Sequence, residues 1–69
     1  MDNPYLEGLL KEINLAQEEG RKGIFRINDK VNDEAALLAK DYIEKKFPNY
    51  KTEFRKCFSC SGWDILIYF

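Results

Sequence analysis

The sequence predicts an α+β fold: a two-layer sandwich with two helices on one face of a three-stranded antiparallel sheet, in the order helix, strand, helix, strand, strand. Three observations lead to it. Residues 50–69 read as a β-hairpin. With Ser59-Cys60-Ser61-Gly62 as its turn, Phe58 faces Trp63, Lys56 faces Ile65 and Phe54 faces Ile67. Even positions of its first strand and odd positions of its second then share one face, almost wholly apolar, as the two-residue period of a half-buried sheet requires. Two earlier segments carry apolar residues at helical spacing, each preceded by an asparagine suited to capping. The last strand, from Trp63 onward, is apolar on both sides, which marks a central strand rather than an edge.

The first helix begins at Asn3-Pro4, where Asn accepts a bond from an orphan amide and Pro at the first position loses no hydrogen bond. Leu6, Leu9, Leu10, Ile13 and Ala16 form its buried stripe, with Gln17 at the edge and Tyr5 on the flank; Gly8 weakens it, and Leu15 projects almost opposite. The helix is expected to run to about Glu19 and stop at Gly20. A short strand, 24–27, follows, with Phe25 and Ile27 expected in the core and Ile24 and Arg26 on the other side. Asn32 caps the second helix, whose first turn carries Asp33 and Glu34 where the dipole favours acids. Pro48 ends it after Phe47. Ala35, Ala36, Ala39, Tyr42, Ile43 and Phe47 make its apolar arc, with Leu38 at the margin and Leu37 off it. Placing the last strand in the middle gives the order 1-3-2, antiparallel throughout, with a right-handed crossover through the second helix. Lys56, pointing inward on an edge strand, is a guard against edge-to-edge pairing.

Size and composition bound the rest. Residues 1–69 make a single domain, close to the lower limit for a core that holds without cross-links. Hydrophobic residues make up 45%, which separates the chain from disordered segments. No apolar run approaches the roughly 18 residues of a membrane span, so no membrane partner is expected. The start, Met1-Asp2-Asn3-Pro4, does not read as a signal peptide, and a cytoplasmic protein is expected. The net charge of −1 gives no global attraction to nucleic acid. Residues 1–20 hold five acids and one base, whereas 21–69 hold ten bases and seven acids, which reads as a solvated acidic helix beside a mildly basic sheet.

Catalytic chemistry finds little support. The chain has no histidine, which removes the commonest general base and the commonest metal ligand, and it has no glycine-rich phosphate loop or nucleophile elbow. Its adjacent acids, Glu18-Glu19 and Asp33-Glu34, sit at helix ends where solvated side chains are expected, whereas a catalytic carboxylate is partly desolvated. Cys57-Phe58-Ser59-Cys60 supplies two of the four ligands of a zinc site and lies at a turn, away from the helix start that lowers a thiol pKa. The pair is left open between free thiols, a local disulfide and half of a metal site shared by two chains; no metal and no cofactor are expected. A non-enzyme is the expectation.

Two surfaces remain. The side of the sheet away from the helices is expected to carry Arg26, Lys51, Glu53, Arg55, Leu66 and Tyr68. An aromatic ring among basic side chains is how sheet modules stack single-stranded bases, although here one ring stands beside an intervening acid. The other surface is defined by Leu15 and Leu37, which the helical stripes leave exposed and which could serve a protein partner.

The layout resembles that of small bacteriophage accessory proteins. The residues that carry the likeness are Gln17-Glu18-Glu19-Gly20-Arg21-Lys22-Gly23-Ile24, Phe47-Pro48-Asn49-Tyr50 and Trp63-Asp64-Ile65-Leu66-Ile67-Tyr68-Phe69. The resemblance spans nearly the whole chain and rests on element order. It implies a factor that binds a host or viral protein, in the host cytoplasm, and carries over no catalytic residue. The expected function is therefore a small protein-binding module, a modulator of a host protein, with a nucleic-acid-binding module as the second reading. A monomer or weak dimer is expected, since the first strand is a short edge and Lys56 guards the other.

Overall fold

A computed structural model describes residues 3–56 and 62–69. The elements are α1 (Pro4–Glu18), β1 (Gly23–Asp29), α2 (Asp33–Lys46), β2 (Lys51–Lys56) and β3 (Trp63–Tyr68). The sheet order is β1-β3-β2, and both pairings are antiparallel. Among the described residues no helix is long and apolar enough to cross a membrane. The Cys57–Cys60 motif and Phe58 lie outside the described residues.

Local chemistry sets the helix ends. Asn3 Oδ1 accepts the Leu6 amide at 3.2 Å, and Asn32 Oδ1 accepts the Ala35 amide at 2.7 Å. Asn3 is itself buried, and its Nδ2 donates to the Ala35 carbonyl, so one side chain caps α1 and ties it to the first turn of α2. At the other end of α1, the Arg21 amide reaches the Ala16 carbonyl and the Gly20 amide reaches Gln17, a Schellman closure. It needs a left-handed residue, supplied by Gly20 at φ 73°.

The core lies between the helices and the sheet: Leu6, Leu9, Ile13 and Ala16 from α1, Ala36, Ala39 and Ile43 from α2, and Ile24, Trp63, Ile65 and Ile67 from the strands. Helix α1 lies against β1 and α2 against β2. An aromatic cluster closes one end. Phe47 stacks on Tyr50 at 4.8 Å, Tyr50 leans on Phe69 at 5.0 Å, and Gln17 Nε2 donates to the Tyr50 hydroxyl.

Two sequence expectations need correction. The hairpin register is offset by two: Lys56 faces Trp63, Phe54 faces Ile65 and Thr52 faces Ile67. An even shift leaves every side chain on its expected face, so the buried side survives the error. Lys56 sits over the Trp63 ring, 5.8 Å from its centre, and joins Asp33, which also accepts from the Trp63 indole at 3.1 Å.

The second correction reverses a face. In β1, Ile24 is 1% exposed and lies opposite Ile67, whereas Phe25 and Ile27 are 56% and 67% exposed. Arg26 stands opposite Ile65 on the helix-covered side. Two local features hold this register. A Cβ at Gly23 would lie 3.3 Å from the Ile67 carbonyl carbon and closer still to its oxygen, so a slip bringing Lys22 or Ile24 to this place would force strands apart. Between Arg26 and Asp29 the ladder breaks at Asn28, which has φ 55° and donates its amide to Asp64 Oδ1 at 2.9 Å. The extra residue is a β-bulge, and it turns Asp29 to the same side as Arg26.

Candidate functional site

The face reversal in β1 decides what the open side of the sheet presents. Directly opposite residues share a face, so the pairings place Tyr68 between Gly23 and Lys51, and Leu66 between Phe25 and Glu53, with Asp64 beside Arg55. Phe25, Ile27, Leu66 and Tyr68 thus form an apolar half toward β1, and Lys51, Glu53 and Arg55 form a charged half on β2. The Phe25 ring meets Tyr68 edge-to-face at 5.4 Å. Lys51, Arg55, Leu66 and Tyr68 are where the sequence places them. Phe25 and Ile27 are the residues sequence reasoning missed. The signal was present: Gly23 before the strand and an asparagine able to adopt φ > 0 after it.

The charges on this face cancel, with Lys51 and Arg55 against Glu53 and Asp64. The Arg55 guanidinium donates to Glu53 at 2.9 Å. The side chains that would track a phosphate backbone therefore bring their own counter-charges.

Arg26, expected on the open face, is instead the centre of a polar clasp between α1 and β1. Its Nε and Nη2 bind Glu12 Oε2 at 2.7 and 2.6 Å, its Nη1 binds Asp29 at 3.1 Å, and its charge stands 5.7 Å from the Tyr5 ring centre. The Tyr5 hydroxyl donates to Asp29 at 2.7 Å. Burial, and then the bond to anionic Asp29, hold the Tyr5 phenol well above its ordinary pKa, so it stays a neutral donor. Burial acts against the Arg26 charge, but Glu12 and Asp29 outweigh it and raise its pKa. Every ionisable group of the clasp has a partner within it.

Leu15 and Leu37 are both exposed, at 55% and 53%. They do not form one surface. Leu15 follows Glu12 by three residues and shares the flank of α1 that reaches Arg26 on β1. Leu37 follows Asp33 by four and shares the flank of α2 that reaches Lys56 on β2. Both project away from the sheet, each on its own helix, and α1 lies against β1 whereas α2 lies against β2, at opposite edges of the sheet. A shallow depression of about 480 Å³ lined by Leu38, Asp41, Tyr42, Lys45 and Lys46 belongs to α2 alone.

Comparison with protein-family models, with curated proteins and with solved structures found no match to this chain.

Proposed function

We propose that this protein is a non-enzymatic protein-binding module whose contact surface is the helix-free face of the sheet, centred on Phe25 and Tyr68. The observation that supports this is the choice made in β1. The strand carries two possible inward sets, and the more apolar one, Phe25 and Ile27, is left outside. At 56% and 67% exposure these side chains forgo more than half of the roughly 1.5–3 kcal/mol that full burial of each would give. An apolar centre bordered by balanced, mutually paired charges fits a protein surface better than a polyanion. The preferred partner is a protein with an apolar patch edged by charges of both signs. The phage-like layout adds a source, a host protein met in the cytoplasm, so that the module acts as a modulator by covering that patch.

Single-stranded nucleic acid is the competing occupant, and the two separate in one experiment. A photo-crosslinking residue at Tyr68 and another at Leu37 are introduced singly, and adducts formed in cells are identified by mass spectrometry. The reading expects one protein adduct specific to position 68. With that partner purified, Phe25→Ala and Tyr68→Ala should each weaken binding by about tenfold or more, as central aromatic anchors do. A nucleic-acid adduct at position 68, or equal protein adducts at both positions, would reject the proposed surface.

A further inference from the structure

We infer that the open face receives one amphipathic helix from the partner protein, laid along the strands over the β1 and β3 half, with a carboxylate on its β2 side. The inference rests on the contact surface proposed above and names the shape and charge of what covers it. Backbone chemistry comes first. The face offers side chains only, so a segment lying on it must satisfy its own amides and carbonyls. A helix or a second sheet does so, and an extended peptide does not.

The width of the apolar half separates those two. Phe25 and Ile27 on β1 and Leu66 and Tyr68 on β3 span two strands, with Lys51, Glu53 and Arg55 in the row beyond. Neighbouring strands lie about 4.8 Å apart, so the two rows suit the underside of one helix about 10 Å across. A second sheet laid face to face would set its inward side chains over the β2 row as well, burying Lys51, Glu53 and Arg55. A single helix leaves that row at its rim, in water. Lengths agree too. The helices on the covered side have 15 and 14 residues. About 14 helical residues reach about 21 Å, close to the span of β1 and β3 at about 3.3 Å per residue.

The covered side of the same sheet supplies the charge rule. Helix α1 lies against β1 and gives Glu12 to Arg26; helix α2 lies against β2 and gives Asp33 to Lys56. Each helix thus sets a carboxylate against a basic residue of the edge strand beside it. On the open side, Lys51 is exposed and makes no ion pair among the described residues, whereas Arg55 is joined to Glu53. Lys51 is therefore the base that an incoming carboxylate meets, directly beside Tyr68. Residues on one side of a strand repeat about every 6.7 Å, and helix positions four apart repeat about every 6 Å. A base one turn along from that carboxylate falls beside Glu53, so the partner helix carries an acid and a base on this flank.

The experiment selects displayed random peptides of about 20 residues, long enough for such a helix, against the purified full chain. Bound clones are then screened on Phe25→Ala and Tyr68→Ala. Winners should lose binding to both variants, carry apolar residues at three- and four-residue spacing, and hold Asp or Glu on one flank. In the tightest winner, Pro at a central water-facing position should weaken binding about a hundredfold. Lys51→Glu should weaken it about tenfold, and exchanging the flanking acid for Lys should restore it. Winners that need Phe25 and Tyr68 yet alternate every second residue, or tolerate the central Pro, overturn the helix and leave the contact surface standing. A Lys51→Glu loss that no exchanged flank restores overturns the charge assignment. Winners indifferent to both alanine variants, or a library that yields none, overturn the helix and the surface together.

Discussion

Ile24 and Ile27 are the same residue type on one strand, three positions apart, and the structure assigns them opposite fates. Truncating each to Ala therefore measures the face of β1 with chemistry held constant. Ile24 is 1% exposed, so Ile24→Ala removes the equivalent of three buried carbons. At about 0.8 kcal/mol each the transfer loss is about 2.4 kcal/mol. A residual cavity beneath α1 brings the cost to about 3 kcal/mol. Ile27 keeps 67% of its surface in water, and the same deletion there costs about 0.8 kcal/mol. The difference, about 2 kcal/mol, corresponds to urea midpoints about 2 M apart for a domain whose m-value is near 1 kcal/mol/M. The assay is equilibrium urea unfolding followed by Trp63 fluorescence. If Ile27→Ala proves as costly as Ile24→Ala, Phe25 and Ile27 belong to the core, and the proposed binding face is lost with them.

Glycine substitutions should split by location. Nothing lies within 4 Å of a Cβ at Gly8, so Gly8→Ala should stabilise by about 0.5–1 kcal/mol through helix propensity. A Cβ at Gly62 would sit 2.7 Å from the Asn28 carbonyl carbon, closer still to the Asn28 side-chain oxygen, and Gly62→Ala should cost about 1–3 kcal/mol as overpacking against the bulge. Urea midpoints moving the same way for both would refute the account of the bulge. The bonds from Lys56 and the Trp63 indole hold the Asp33 carboxylate below its ordinary value of 3.8. A depressed folded-state pKa gives stability that is full above 3.8 and is lost as pH falls through the lower folded value. Acid titration of unfolding midpoints should show that loss in the parent and a shallower slope in Asp33→Asn; identical slopes would remove Asp33 from the acid response.

Much of the architecture was legible because its signals were local and mutually consistent. Asn3-Pro4, Asn32 and Gly20 act through the residues beside them, and the terminal hairpin repeats its alternation over enough positions to survive a two-residue register error. The first strand was different. Its two faces offer Ile24 with Arg26, or Phe25 with Ile27, and apolarity alone chooses the second. What decides otherwise is tertiary: Glu12 and Tyr5, from a helix far away in sequence, give Arg26 and Asp29 partners, while the Ile67 carbonyl crowds Gly23. Charge compensation of that kind cannot be read from alternation within four residues. The same error concealed the proposed contact face, since alternation alone puts Phe25 and Ile27 in the interior. Leu15 and Leu37 were correctly read as exposed, but helical spacing within each helix says nothing about which edge of the sheet each one overhangs.

The open face grades from oil to salt, across the strands rather than along them. A visitor landing on such a slope has one favoured rotation, because turning it half a circle sets its greasy patch over Lys51 and Arg55.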